Sequence, residues 1–447
     1  FFSLSFLIFL SYKPIKIDNF EYINKYFIKL DHLNINNTGN IYLSFNKSTR
    51  NLELLVEDFE SENIFIADLL LATDIPSILS GQLKPKILKL YDARITSSIV
   101  IDVDNTNKSF QETFLDFFSN SNNFNINGED FFDLFSHFSI IEINNSKLSL
   151  NNKINKKNLI LDPIDIRIES LNKDQIISLS MNQNDLNNSN LKLQLEKKNT
   201  NIFVKGNTNQ FELSNILNFF YKKEFFKKFI STGNVNGTLD DSLNISDLKA
   251  KFDSDIKINS LYSNNSRDIH LDKLKLDIFY DVPSNLSINA LFNYNKSVIS
   301  LDYISRNNMP SALIKCEKIF FYDLINLWPN FFKKPAKNWI TSNVRGQIND
   351  LEMSINFKNH QFKLENFYGD LKFKNVMLTY LDGMPRVLEL DGDIEISDKE
   401  VVINFTRGFS RNLVLKEGRV KIYDLDKPLE LAIVQINIDS KTDHIKE

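Results

Sequence analysis

"LDKLKLDIFYDV" runs from Leu271 to Val282, and its pattern decides the fold. Leu274, Leu276, Ile278 and Tyr280 fall on one side of an extended chain, while Lys275, Asp277 and Phe279 fall on the other. A period of two marks a strand with one apolar face. "LSINALFNYN" (286–295) repeats it with Leu286, Ile288, Ala290, Phe292 and Tyr294. The alternation returns at Leu191, Leu193 and Leu195, at Ile394 and Ile396, at Leu413 and Leu415, and at Val420 and Ile422. Short turn signals separate such runs: "NNSN", "DGD", "SDKE" and "KEG". Short connections join antiparallel neighbours, because parallel strands need a crossover of a dozen residues or more. The expected fold is mainly β: a long, curled, one-sided antiparallel sheet, groove-like or taco-like, built from repeats with short helical plugs. "DGDIEISD" (391–398) lacks the acidic series and closing Glu of a calcium loop, so it reads as a hairpin turn feeding the strand from Ile394.

Helical patterns are sparse. Apolar spacings of three and four predict helices over 66–81, 109–121, 128–140 and 214–230, the first broken by Pro76 and Gly81. The last has a second copy. Phe225, Phe226, Lys227 and Lys228 match Phe331, Phe332, Lys333 and Lys334, and Val235 and Gly237 match Val344 and Gly346. Both tryptophans, Trp328 and Trp339, sit in that second copy beside Pro329 and Pro335. A helix capping a sheet edge or rim explains why the motif recurs. The resulting organisation is a partial anchor (1–12), an amino-terminal β region with short helices (13–140), a β repeat ending in a helix (141–240), a second ending in the Trp/Pro segment (241–350), and a third (351–447).

The totals exclude several classes. Lys plus Arg is 53 and Asp plus Glu is 57, with no basic block, so a nucleic-acid partner is not expected. Cys316 is the one cysteine, and the five histidines are scattered, so neither a disulfide nor a metal site is expected. No nucleophile or phosphate-loop motif occurs, so no catalytic residue and no cofactor is assigned, and a non-enzyme is expected. "FFSLSFLIFL" (1–10) reads as the second half of a transmembrane anchor, or else as the core of a signal peptide.

A one-sided sheet must set its apolar face against something. A second sheet would seal it in a sandwich, and a curled sheet would leave a groove for an apolar ligand. A groove would be lined by Leu274, Leu276, Ile278, Leu286, Ile288, Phe292, Ile355, Phe357, Leu371, Phe373, Val376, Leu378 and Tyr380. Ile394, Ile396, Ile403, Phe405, Leu413 and Leu415 would continue the lining. The parity change between Phe373 and Val376 predicts a bulge at Lys374–Asn375.

The segment from "LWPNFFKKPAKNWITSNVRGQINDLEMSINF" onward resembles the central region of the AsmA-like proteins of the YhdP type. The marks are Trp328–Pro329, Trp339, Gly346, the "YLDGMP" of Tyr380 to Pro385, Gly392, Gly408 and Gly418. "IADLLLATDIPSILSGQLKPKILKLYDARI", with Ala93 in its closing turn, is similar to the family's amino-terminal pattern. The resemblance implies a bacterial inner-membrane anchor and a periplasmic body whose groove passes phospholipid toward the outer membrane. Its implied partners are phospholipid, the inner membrane and other envelope proteins. The alternative is a non-catalytic β-repeat scaffold for envelope assembly.

Overall fold

A computed structural model describes residues 2–18, 35–37, 39–61, 63–79, 86–99, 138–153, 156–171, 174–182, 189–198, 201–220, 226–240, 245–258, 268–281, 285–306, 309–327, 334–357, 364–379, 385–423 and 431–439. The described residues are mainly β and fall into two compact units. The sequence-read helix over 109–121 and residues 128–137 of the one over 128–140, with Trp328, Pro329 and Tyr380, lie outside the described residues, and Ile140 at the end of the second is in a strand.

The first unit opens with helix α1 (Phe2–Tyr12), whose Leu10 is buried while Phe6, Ile8 and Phe9 are exposed. No described helix is long and apolar enough to cross a membrane. Strands β1 (Ile15–Lys16), β2 (Ile35–Asn37), β3 (Ile41–Asn46), β4 (Asn51–Ser61) and β5 (Ile64–Asp74) follow. Next come helix α2 (Ile75–Leu79), β6 (Ile87–Tyr91) and β7 (Arg94–Ile99). The unit continues through β8 (Ile140–Asn152), β9 (Lys157–Leu171), β10 (Asp174–Asn182), β11 (Asn190–Lys198), β12 (Asn201–Glu212) and helix α3 (Ser214–Phe220). The antiparallel expectation needs one correction, because β8 pairs in parallel with both β6 and β7. The chain between Ile99 and Ile140 is long enough for that crossover.

Two helix expectations are also corrected. Residues 66–74 belong to β5, which pairs with β4 on one edge and with β6 and β7 on the other. Ladder bonds on both edges outweigh the helix propensity of "DLLLA", and only Ile75–Leu79 remains helical. Asp74 caps that turn by accepting from the Ser77 amide at 3.0 Å. Likewise, of the described part of 214–230, Ser214–Phe220 is helical and Phe226 opens strand β13 (Phe226–Leu239). The aligned Lys334 instead opens a helix, so Lys228 and Lys334 stand in different structures, while Val235, Gly237, Val344 and Gly346 are all in strands.

Strand β14 (Ile245–Ile258) and β13 contribute residues to both units. The second unit then runs through β15 (Ile269–Asp281), β16 (Asn285–Tyr294), β17 (Ser297–Arg306) and β18 (Met309–Phe320). Helices α4 (Phe321–Leu327) and α5 (Lys334–Asn343) interrupt it. It ends with β19 (Val344–Phe357), β20 (Leu364–Leu378), β21 (Val387–Ser397), β22 (Glu400–Ser410), β23 (Leu413–Tyr423) and β24 (Leu431–Asp439). From β15 to β24 each strand pairs antiparallel with the next. "DGD" and "KEG", read as turns, lie inside β21 and β23; a strand paired on both edges carries Asp391–Gly392–Asp393, with a register shift between Asp391 and Gly392.

Bulges mark this sheet. Asn145, Lys273, Asp350, Asn375 and Glu389 have positive φ, and each coincides with a register shift. The shift between Phe373 and Val376 is the one expected from sequence. A left-handed residue other than glycine needs support. At three bulges the support is a neighbouring aspartate: the Asn145 amide donates to Asp165 at 2.7 Å, Lys273 to Asp255 at 3.1 Å, and Asn375 to Asp391 at 2.7 Å.

Removing that acceptor strands an amide that its own ladder does not use. Asp391→Ala is expected to cost about 1.5–3 kcal/mol in urea unfolding, and Asp391→Asn less. At the α2 cap, the Lys86 ammonium and the Ser77 hydrogen bonds hold the Asp74 carboxyl at about 2. Its folded pKa is depressed, so its contribution is present above the ordinary carboxylate range and is lost as pH falls through about 2. The pair is partly exposed, so Asp74→Asn should cost under about 1 kcal/mol at pH 7, a deficit that disappears in acid.

Candidate functional site

The registers of β15–β24 align their apolar residues in rows. One row reads Leu276, Ala290, Leu301, Ile314, Met353, Gly369, Ile396, Val401, Ile422 and Ala432, each directly opposite the next. It carries no charged or amide side chain across ten strands. At strand spacings near 4.8 Å, nine steps span about 43 Å. Beside it lies Phe292, Ile299, Cys316 and Leu351, and past the Asp350 bulge it continues as Leu371, Ile394, Ile403, Val420 and Val434. The opposite face carries the ion pairs, such as Lys315–Glu352 at 3.1 Å and Lys421–Glu400 at 2.8 Å, with exposed Phe279, Leu291 and Val298 among them.

A third row alternates aromatic and glycine. Ile319, Ile348, Phe373, Gly392, Phe405, Gly418 and Ile436 face one another in turn. A Cβ built on Gly392 would lie 2.7 Å from Phe373 Cζ, and one on Gly418 would run into the Phe405 ring. The rings therefore lie across the bare backbone of the next strand, a known way of covering a strand glycine. Gly346 answers a different need. Its φ of 141° is one that other residues rarely adopt, and Val376, on the far side of the Asn375 bulge, crowds it.

Within this unit, the apolar face is covered by its own neighbours and by α4 and α5. Phe321 is buried, and Leu324, Leu327 and Ile340 pack on the large cluster that includes Leu371, Phe373, Phe405 and Leu415. Leu324 and Ile340 also close over Phe367, Ile355 and Ile396. The plug thus sits on the apolar face, correcting the expectation that it caps an edge. A face wanting about 1.5–3 kcal/mol per buried aliphatic side chain attracts it more strongly than a hydrogen-bonding rim. Polar ties fix it: the Asp323 carboxylate, 1% exposed, accepts from the Asn295 side chain, and the Asn326 amide donates to the Tyr294 hydroxyl at 3.3 Å. Burial pushes the Asp323 carboxyl up. Arg345 Nη1 donates to the Thr341 carbonyl at 2.7 Å, closing the end of α5.

Of the residues expected to line a groove, Leu274, Ile278, Leu286, Phe357, Leu371, Phe373, Val376, Phe405 and Leu415 are buried. Leu276, Ile288, Phe292, Ile355, Leu378, Ile394, Ile396, Ile403 and Leu413 are half-buried. Exposure grows toward the end of the sheet, where Val434 is 55% exposed. Sequence reasoning missed Cys316, Ile299, Leu351 and the plug residues Leu324 and Ile340. Their signal was present in part: Ile348 and Leu351 are three apart, as Phe373 and Val376 are. Among the described residues no group of His, Cys, Asp and Glu is arranged to hold a metal. No family model matches the chain, and neither a curated protein nor a solved structure is similar to it.

Adding a methyl where a ring already lies overpacks the face. Gly392→Ala and Gly418→Ala should each lower stability by about 1–3 kcal/mol. Gly369→Ala, whose Cβ would meet nothing closer than 3.8 Å, is the control and should fall within about 0.5 kcal/mol of the parent in urea titrations.

Proposed function

We propose that this chain presents its apolar sheet face to the acyl chains of phospholipid, as a bridge segment of the bacterial envelope. In this reading it is held at the inner membrane, has its body in the periplasm, and passes lipid toward the outer membrane. The observation that carries the reading is the ten-strand apolar row, covered within its unit by two short helices and not by a second sheet among the described residues. A soluble lipid with two long chains faces a penalty on the order of 20 kcal/mol, at about 0.8 kcal/mol per methylene. A continuous apolar row removes most of that penalty at every position, so lipid can move along it by small steps. The plug on β18–β21 then narrows the path, and the half-buried stretch from Ile394 to Val420 is its open part. The resemblance of the Trp328–Gly418 segment to the AsmA-like proteins supports the same reading, as does the apolar helix α1 at the start of the first unit.

Burial of Phe373 and Phe405 favours a second reading, a non-catalytic scaffold whose apolar face serves only as core.

A photo-crosslinking residue at Ile394 in one strain and at Glu395 in another separates the two. Ile394 lies on the apolar face and is half-buried, and Glu395 is its exposed neighbour on the other. The transfer reading expects phospholipid adducts at Ile394 at least about tenfold above Glu395, a preference that two buried methylenes would supply. Equal or absent adducts on a folded protein would leave the scaffold.

A further inference from the structure

The first unit carries a different kind of site on its hydrophilic face. A pocket of about 720 Å³ opens across β8–β13, within the size range of ligand sites. Its lining comes chiefly from the polar side of each strand. Glu142, Arg167, Ser178, Gln194 and Lys205 face one another along one row, and Asp165, Ser180, Lys192 and Asn207 along the next. Asn234 and Asn236 complete the wall.

The two sides of the pocket differ. On one, the acids already have partners: Glu142 binds Arg167 and Lys89, both at 2.7 Å, Arg167 also binds Glu169 at 2.6 Å, and Asp165 accepts from the Asn145 amide at 2.7 Å. On the other, Lys192 lies opposite Asn207 and Lys205 opposite Gln194, which makes the two lysines diagonal neighbours about 7–8 Å apart. Neither forms an ion pair among the described residues. Glu196, whose carboxylate feels Lys205, is already taken by Lys198 at 2.7 Å. Two ammonium groups without counter-charge attract an anion. Around them Asn207, Asn234, Asn236, Gln194 and Ser180 offer both donors and acceptors.

This chemistry narrows the occupant. An acyl chain would strand these polar groups. A nucleobase would want an aromatic platform, and no aromatic ring is among the described residues that line the pocket. An inorganic anion would engage the lysines and leave the amides idle. We infer that the pocket binds an acidic saccharide, its carboxylate or phosphate held between Lys192 and Lys205 and its hydroxyls by the asparagines. The inference does not depend on the acyl-chain reading of the other unit.

Calorimetry on the full chain at low salt tests it with trigalacturonate, maltotriose and inorganic phosphate. Trigalacturonate should bind, maltotriose at least about tenfold more weakly, and phosphate should not displace the acid sugar. K192Q/K205Q and, separately, N234A/N236A should each lose about tenfold, with urea midpoints unchanged because these side chains are exposed. No binding of trigalacturonate, full binding by K192Q/K205Q, or equal displacement by phosphate would overturn the assignment. Vesicles containing glucuronosyl diacylglycerol distinguish the source. Displacement of trigalacturonate by them supports a glycolipid headgroup, and its absence with soluble binding intact supports a free glycan.

Discussion

The second unit depends on a small number of backbone amides that leave the ladder. At each bulge a left-handed residue is inserted, and the strand's parity changes. Without the insertion, a one-residue shift would turn half of the strand's apolar side chains to the polar face. With it, Ile348 and Leu351, Phe373 and Val376, and Val387 and Leu390 join one cluster although the members of each pair lie three positions apart. Leu271 packs on the same cluster, and Leu274, three positions on, is buried as well. Aspartates meet the freed amides at Lys273 and Asn375, and Asp165 does the same in the first unit. The apolar rows are continuous because these amides have somewhere to go.

The rows and the plug are two answers to one difficulty. A single layer of sheet has too few neighbours to hide large side chains, yet Phe373 and Phe405 are nearly inaccessible. Glycines provide the missing space on one side, letting the rings lie down. The helices provide cover on the other, with Asp323 and Asn326 tying α4 to the β16–β17 hairpin. Along the row from Ile394 through Ile403 to Val420 the face is half-buried, and at Val434 it is 55% exposed.

The class of fold was legible from residues such as Leu274, Leu276 and Ile278, because alternation survives wherever a strand is regular. It failed where strands are not. The spacing of three across a bulge is also a helical spacing, and a buried run such as "IADLLLATD" has no alternation to betray a strand paired on both edges. "DGD" imitates a turn, yet its glycine leaves room for the Phe373 ring and for the close backbone of the next strand. The apolar face could be listed from sequence through Leu371, Ile394 and Phe405. Its partners Ile299, Cys316 and Leu351 could not, since register depends on turns and bulges that no single strand reveals. The polar pocket gave no signal at all: serines, asparagines and lysines on a strand look the same whether they face bulk water or each other.

The order of pairing has a consequence for how the chain reaches this state. From β15 to β24 every strand meets the one just made, so each new contact closes a short loop and costs little chain entropy. Such a sheet can grow from a hairpin at almost any point and zip outward, much as stacked repeats do. The first unit has no such freedom at β8, which must find β6 and β7 across residues 100–139. These parallel joins are the longest-range pairings among the described residues, and the first unit assembles only once those two distant stretches meet.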